Sequence, residues 1–87
     1  MNTLAQVVDI IGSNVKLLRT LRGYSQVELA EAAQVTREYI WALESKRHDH
    51  EPKLQTLCRV ADTLGVAFHQ LVRPIEVPRD DTPTKLY

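Results

Sequence analysis

One cysteine, three glycines and no surplus charge of either sign leave this chain with few special devices. With Cys58 alone an internal disulfide is impossible and no cysteine-based zinc site is indicated, which fits a reducing, cytoplasmic setting. No apolar run approaches the roughly 18 to 20 residues that cross a bilayer. The opening MNTLAQVVDIIG has no basic head before its apolar portion, so neither a membrane span nor a signal peptide is expected. Lysine and arginine number 11 and aspartate and glutamate 11, so composition gives no warrant for a nucleic-acid partner. Any positive surface must come from placement. No nucleophile, acid-base pair or phosphate loop emerges either, and a core this small has little room for a deep pocket, so neither catalysis nor a cofactor is expected.

What is present suits one small folded domain. Apolar residues make up 44% of the 87 and charged residues 25%, ordinary for a globular chain. A core of this size is modest and gains from self-association.

Val8, Ile11, Val15, Leu18 and either Leu21 or Arg22, spaced by three and four, predict an amphipathic helix ended at Gly23, with Gly12-Ser13 a point where it could be interrupted or restarted. Ser25 followed by Glu28 has capping-box spacing, and Val27, Leu29 and Ala30 supply the apolar side of a second helix. Thr36 repeats the device with Tyr39 in place of the acid, so its cap is half made. A third helix over about 37–44 turns Ile40 and Leu43 inward. The polar stretch SKRHDHEPK follows, with Pro52 suited to the start of the next element. Leu54, Leu57, Cys58, Ala61 and Leu64 give the cleanest helical pattern, stopped by Gly65, and Cys58 reads as a small core-side hydrophobe. Residues 66–72 form a fifth short helix with Phe68, Leu71 and Val72 inward. Residues 1–72 are thus one domain, and 73–87 are a tail in which Pro74, Pro78 and Pro83 prevent a helix. Part of the tail, about 75–77, is expected to lie extended on a partner.

Two short helices joined by a tight turn meet steeply only if a small residue sits at the crossing. Ala30 is that residue, with Val35, Ile40 and Leu43 filling the wedge. The third helix then stands proud, offering Arg37, Glu38 and Tyr39 and, one turn on, Trp41 and Ala42. Such a helix fits the DNA major groove, where arginine binds guanine and an acid accepts from cytosine.

Residues 15–72 resemble a helix-turn-helix domain of the phage-repressor type, the XRE family. The matching motifs are LLR at 17–19, SQVELA at 25–30, VTREYI at 35–40, LE at 43–44, TL at 56–57 and ADTLGV at 61–66. The resemblance implies an all-α, compact five-helix bundle, a homodimer on double-stranded DNA with two half-sites, and regulation of transcription. It implies that Arg37 and Glu38 face base edges, with Ala42 limited to an apolar contact. It also implies that Gln26 holds a phosphate and braces a neighbour, and that Arg19 and Glu44 form a buried ion pair. Tyr39, Lys46 and Arg47 are further phosphate candidates, with Lys16 and Arg22 weaker ones. Helix 5, with Phe68, Leu71 and Val72, is the expected dimer surface.

Short phage repressors, restriction-modification controllers and autoregulating antitoxins share this form, so a toxin is a conceivable protein partner. The rival reading is a protein-interaction module on the same fold, supported by neutral charge, Glu38 and Trp41, whose indole could pack at the domain edge, touch the DNA backbone or join a partner. Gln34 and Lys46 stand where the family has glycine, HDHE lengthens a loop, and Ala67 replaces a Ser or Thr cap. Tyr24 reads as core. His48 and His50, with Asp49 and Glu51, lack the spacing of a recognised zinc pattern, and His69 reads as a surface residue.

Overall fold

The computed structural model describes residues 3–47 and 51–75. Five helices follow in order: α1 (Leu4–Arg22), α2 (Gln26–Ala33), α3 (Arg37–Glu44), α4 (Leu54–Leu64) and α5 (Phe68–Leu71). Among the described residues the fold is all-α, the five-helix bundle that the resemblance implies. No helix there is long and apolar enough to cross a membrane.

Local chemistry sets the boundaries. Thr3 caps α1 in a reciprocal box with Gln6, and Gly23 ends it in the left-handed region. The Ser25–Glu28 box starts α2. Thr36 accepts from the Tyr39 backbone N–H at 3.1 Å with nothing returned, the half-made cap the sequence predicts. Lys53, not Pro52, caps α4, and Gly65 stops it. At α5 the alanine cap has no acceptor, and Gln70 Oε1 instead accepts from the Ala67 N–H at 2.8 Å.

The turn between α2 and α3 is built without glycine. Gln34 sits at φ 60°, and Lys46, beyond α3, at φ 59°. Left-handed backbone costs a side-chain-bearing residue about 1 kcal/mol or more. Arg59 supports the first turn, its Nε donating to Ala33 O at 3.2 Å and its Nη2 to Gln34 O at 3.4 Å.

The core gathers Val15, Leu29, Ile40, Val60, Leu64 and Leu71, all essentially without exposure. Helix α1 runs unbroken through Gly12-Ser13, where an interruption was possible. Gly12 is there for packing: a Cβ on it would fall on the Leu43 carbonyl oxygen of α3. Beside it Asn14 is buried in the seam, its Nδ2 donating at 2.7 Å to both Leu71 O and Arg73 O, which ties α1 to the end of α5.

Four expectations are corrected. Cys58 is exposed, and so is Leu54, because α4 centres its inward stripe on Leu57, Val60, Ala61 and Leu64. Val27 is exposed and Ala33 takes its place inside α2. Leu21 is exposed, so the α1 seam ends at Leu18, while Arg22 caps α4 through Nε to Leu64 O at 2.9 Å. Leu71 is wholly buried in its own core and so is not available as a dimer surface; Phe68 and Val72 are half-buried.

Of the tail, Ile75 packs against the core. The extended segment expected over about 75–77 is described only at Ile75; residues 76–87 lie outside the described residues, as do His48, Asp49 and His50.

Candidate nucleic-acid interface

Eight residues make α3, and burial divides them. Ile40 is fully buried and Leu43 nearly so, while Arg37, Glu38 and Trp41 are exposed and Ala42 is half-buried. At 3.6 residues per turn, Arg37, Trp41, Glu38 and Ala42 follow one another around about 140° of the helix, opposite the buried pair. Among the described residues no hydrogen bond or ion pair engages the Arg37 or Glu38 side chain. Their place at the first turn of a capped helix leaves both heads projecting from the body.

A fixed base holds that face. Arg19 of α1 grips Glu44 at the end of α3 through two bonds, Nε to Oε2 at 2.6 Å and Nη2 to Oε1 at 3.0 Å. Its Nη1 donates to Tyr24 O at 2.9 Å, and Gln26 Nε2 donates to Glu44 Oε1 at 3.2 Å. The two side chains are 15% and 6% exposed, so the pair is shielded from water, and the bond to Glu44 raises the Arg19 pKa against the opposing pull of burial. The carboxylate thereby ties α1 and the start of α2 to the end of α3. Gln26, at the first position of α2, braces this clamp as the resemblance implies.

Beyond α3, Lys46 donates its backbone N–H to Leu43 O at 3.1 Å, and Arg47 donates to Ala42 O at 3.3 Å. Both side chains are exposed, and the Arg47 guanidinium lies 5.9 Å from the centroid of the Trp41 ring. Trp41 itself is 45% exposed, so of its three sequence-stated placements, packing within the domain accounts for at most part of the ring.

Tyr39 departs from its expected place. Its hydroxyl is buried and has no hydrogen-bond partner among the described residues, so it is turned away from any phosphate. Burial pushes this phenol up to about 12, with the Arg59 charge pulling the other way.

Sequence reading missed Asn14 and Arg59. A polar residue interrupting the α1 apolar stripe was the available signal for Asn14. For Arg59 it was that α2 ends without glycine or a basic residue of its own. Among the described residues no group of three or more histidine, cysteine or carboxylate side chains could hold a metal ion.

Comparison with known proteins places this geometry. The helix-turn-helix family model matches residues 15–71. A hypothetical transcription factor of Neisseria meningitidis is 37% identical over 65 residues, covering 75% of this chain and 59% of its own length. Its solved structure superimposes with a TM-score of 0.73 at 32% identity, over 85% of this chain and 83% of that one. An uncharacterised HTH-type transcriptional regulator, y4dJ of Sinorhizobium fredii, is 34% identical over 85% of this chain and 88% of its own length. The regulator SinR of Bacillus subtilis is 36% identical over 72% of this chain and 56% of its own. SinR has been solved in complex with DNA, with a TM-score of 0.67, 36% identity and coverage of 72% of this chain and 98% of that one. It has also been solved in complex with the SinI protein, with a TM-score of 0.67, 32% identity and coverage of 88% of this chain and 67% of that one. The chain spans little more than half the length of the Neisseria and Bacillus relatives.

Proposed function

Since the chain belongs to the helix-turn-helix family of DNA-binding transcriptional regulators, we propose that it binds double-stranded DNA sequence-specifically, as a homodimer on an inverted-repeat operator. The observation that carries this reading is the exposed face of α3, with Arg37 and Glu38 unengaged in front and Ile40, Leu43 and the Arg19–Glu44 clamp fixed behind. Arg37 meets guanine O6 and N7, and Glu38 accepts from cytosine N4 or orients Arg37 while repelling wrong sites. Ala42 offers a methyl only. Gln26 and the free N–H groups at the start of α2 take one phosphate, and Lys46 and Arg47 take others. Phe68 of α5 and its C-cap residue Val72, both half-buried, face the second copy.

A protein partner, such as the toxin of an antitoxin, is the second reading. Exposure of Trp41 favours it, as does the relative SinR, solved in complex with a protein.

Two substitutions separate base reading from phosphate holding. Arg37→Ala is expected to relax preference at one base pair per half-site and to cost about 1 to 3 kcal/mol for each lost bidentate pair. Lys46→Ala is expected to weaken binding to all duplexes and to flatten its salt dependence. Fluorescence anisotropy across a series of salt concentrations measures both. Equal weakening on every sequence by Arg37→Ala would contradict the base-reading role.

A further inference from the structure

We infer that Trp41 is a specificity-determining residue that reads the C5 methyl of thymine in the major groove, with Arg47 holding its ring in place. This rests on the DNA-binding reading above and adds a contact that Arg37 and Glu38 cannot make.

Position comes first. Taking about 100° per residue, Trp41 falls between Arg37 and Glu38 around α3 and one turn further along it, at the middle of the outward face. Ala42, its neighbour on that face, is half-buried and bears a single methyl. Trp41 is therefore the bulkiest group that α3 presents. A helix in the major groove that brings Arg37 to a base edge carries Trp41 about 5 to 6 Å further on, one to two base pairs away at about 3.4 Å per pair.

Orientation comes second. The ring is 45% exposed, and the Arg47 guanidinium stands 5.9 Å from its centroid. A cation over the ring costs it freedom before DNA arrives and places positive charge beside the indole, where a phosphate stands when the helix is seated.

Chemistry then selects the target. Indole has one N–H donor and no acceptor, so it cannot pair with the donor–acceptor edge of a base as Arg37 can. Its remaining surface is apolar. The apolar feature that distinguishes one base pair from another in the major groove is the thymine methyl. A protein partner would be the alternative for an exposed tryptophan. Arg37, the Arg47 guanidinium beside the ring and Lys46 just after α3 outnumber the Glu38 carboxylate, and a net positive charge matches a polyanion better than an apolar protein patch.

The test uses the duplex enriched by the wild-type protein from a random pool, with thymines replaced singly by uracil, which removes the C5 methyl and leaves pairing unchanged. The wild-type protein should lose about fourfold in affinity at one position per half-site, the effect of burying one methyl-sized group. The same change should leave Trp41→Ala unaffected, and its circular dichroism should match the wild type because the ring is on the surface. Equal wild-type binding to thymine and uracil at every position would overturn the inference. So would a Trp41→Ala protein that keeps the methyl sensitivity. If no duplex is enriched from the pool, the DNA-binding reading itself fails; if a duplex is enriched and uracil is neutral, only the role of Trp41 fails.

Discussion

Tyr39 shows how a single residue can be well placed in sequence and differently used in the fold. It follows Arg37 and Glu38 directly, yet the turn of the helix carries it inward, where its ring packs on the core and its hydroxyl is left without a hydrogen-bond partner among the described residues. A buried donor that bonds to nothing is a net cost, so Tyr39→Phe is expected to be neutral or to stabilise by up to about 1 kcal/mol. The pH dependence gives a sharper check. The folded protein holds the phenol protonated up to about pH 12, whereas the unfolded chain ionises near the ordinary value of 10. Above pH 10 the unfolded state therefore loses its proton first, and the wild type loses stability as pH rises from about 10 to 12. Urea unfolding of both proteins across that interval should show a steeper fall for the wild type. Parallel profiles would mean that the Tyr39 hydroxyl is not held neutral in the fold.

At the scale of elements, the sequence was legible wherever one local device decides the outcome. The Ser25–Glu28 box, the half-cap at Thr36 and the stops at Gly23 and Gly65 all lie within a few residues of what they control. The phase of α4 was harder to read. Leu57, Ala61 and Leu64 fit a stripe centred toward Cys58 or toward Val60, and only the packing of α4 against α1, α2 and α5 chooses Val60. Asn14 and Arg59 escaped for a related reason, since each bonds to backbone oxygens 25 or more positions away in the chain. Gly12 belongs at this scale too, because it sets how closely α1 approaches α3. Alanine there gains about 1 kcal/mol of helix propensity but drives a methyl onto the Leu43 carbonyl oxygen. The clash is with backbone, which yields at a cost of about 1 to 3 kcal/mol. Gly12→Ala should therefore lower stability and weaken DNA binding beyond what its unfolding explains, while Ser13→Ala, exposed beside it, should gain stability. Thermal unfolding of the pair decides the matter. A stabilised Gly12→Ala protein would show that the approach of α1 to α3 is not closed.

Over the whole molecule, zero net charge means that attraction to DNA comes from arrangement and not from excess. A single copy presents few cations at α3, and the proposed homodimer compensates by making the second binding event effectively intramolecular. The fold class was readable because it needs only five amphipathic segments in the right order, whereas a surface for the proposed pairing of two copies depends on which apolar residues the core leaves over. Leu71 illustrates this, being wholly absorbed by its own bundle. Symmetry follows from the account as a whole: a two-fold pair of α3 helices must read a two-fold sequence, with half-site centres about one turn, ~34 Å, apart or a multiple of it. Selection of bound fragments from a random duplex pool tests this most directly. The account predicts an enriched inverted repeat with that spacing, bound by two copies. Failure to enrich any sequence would contradict it, and so would enrichment of one asymmetric site bound by a single copy.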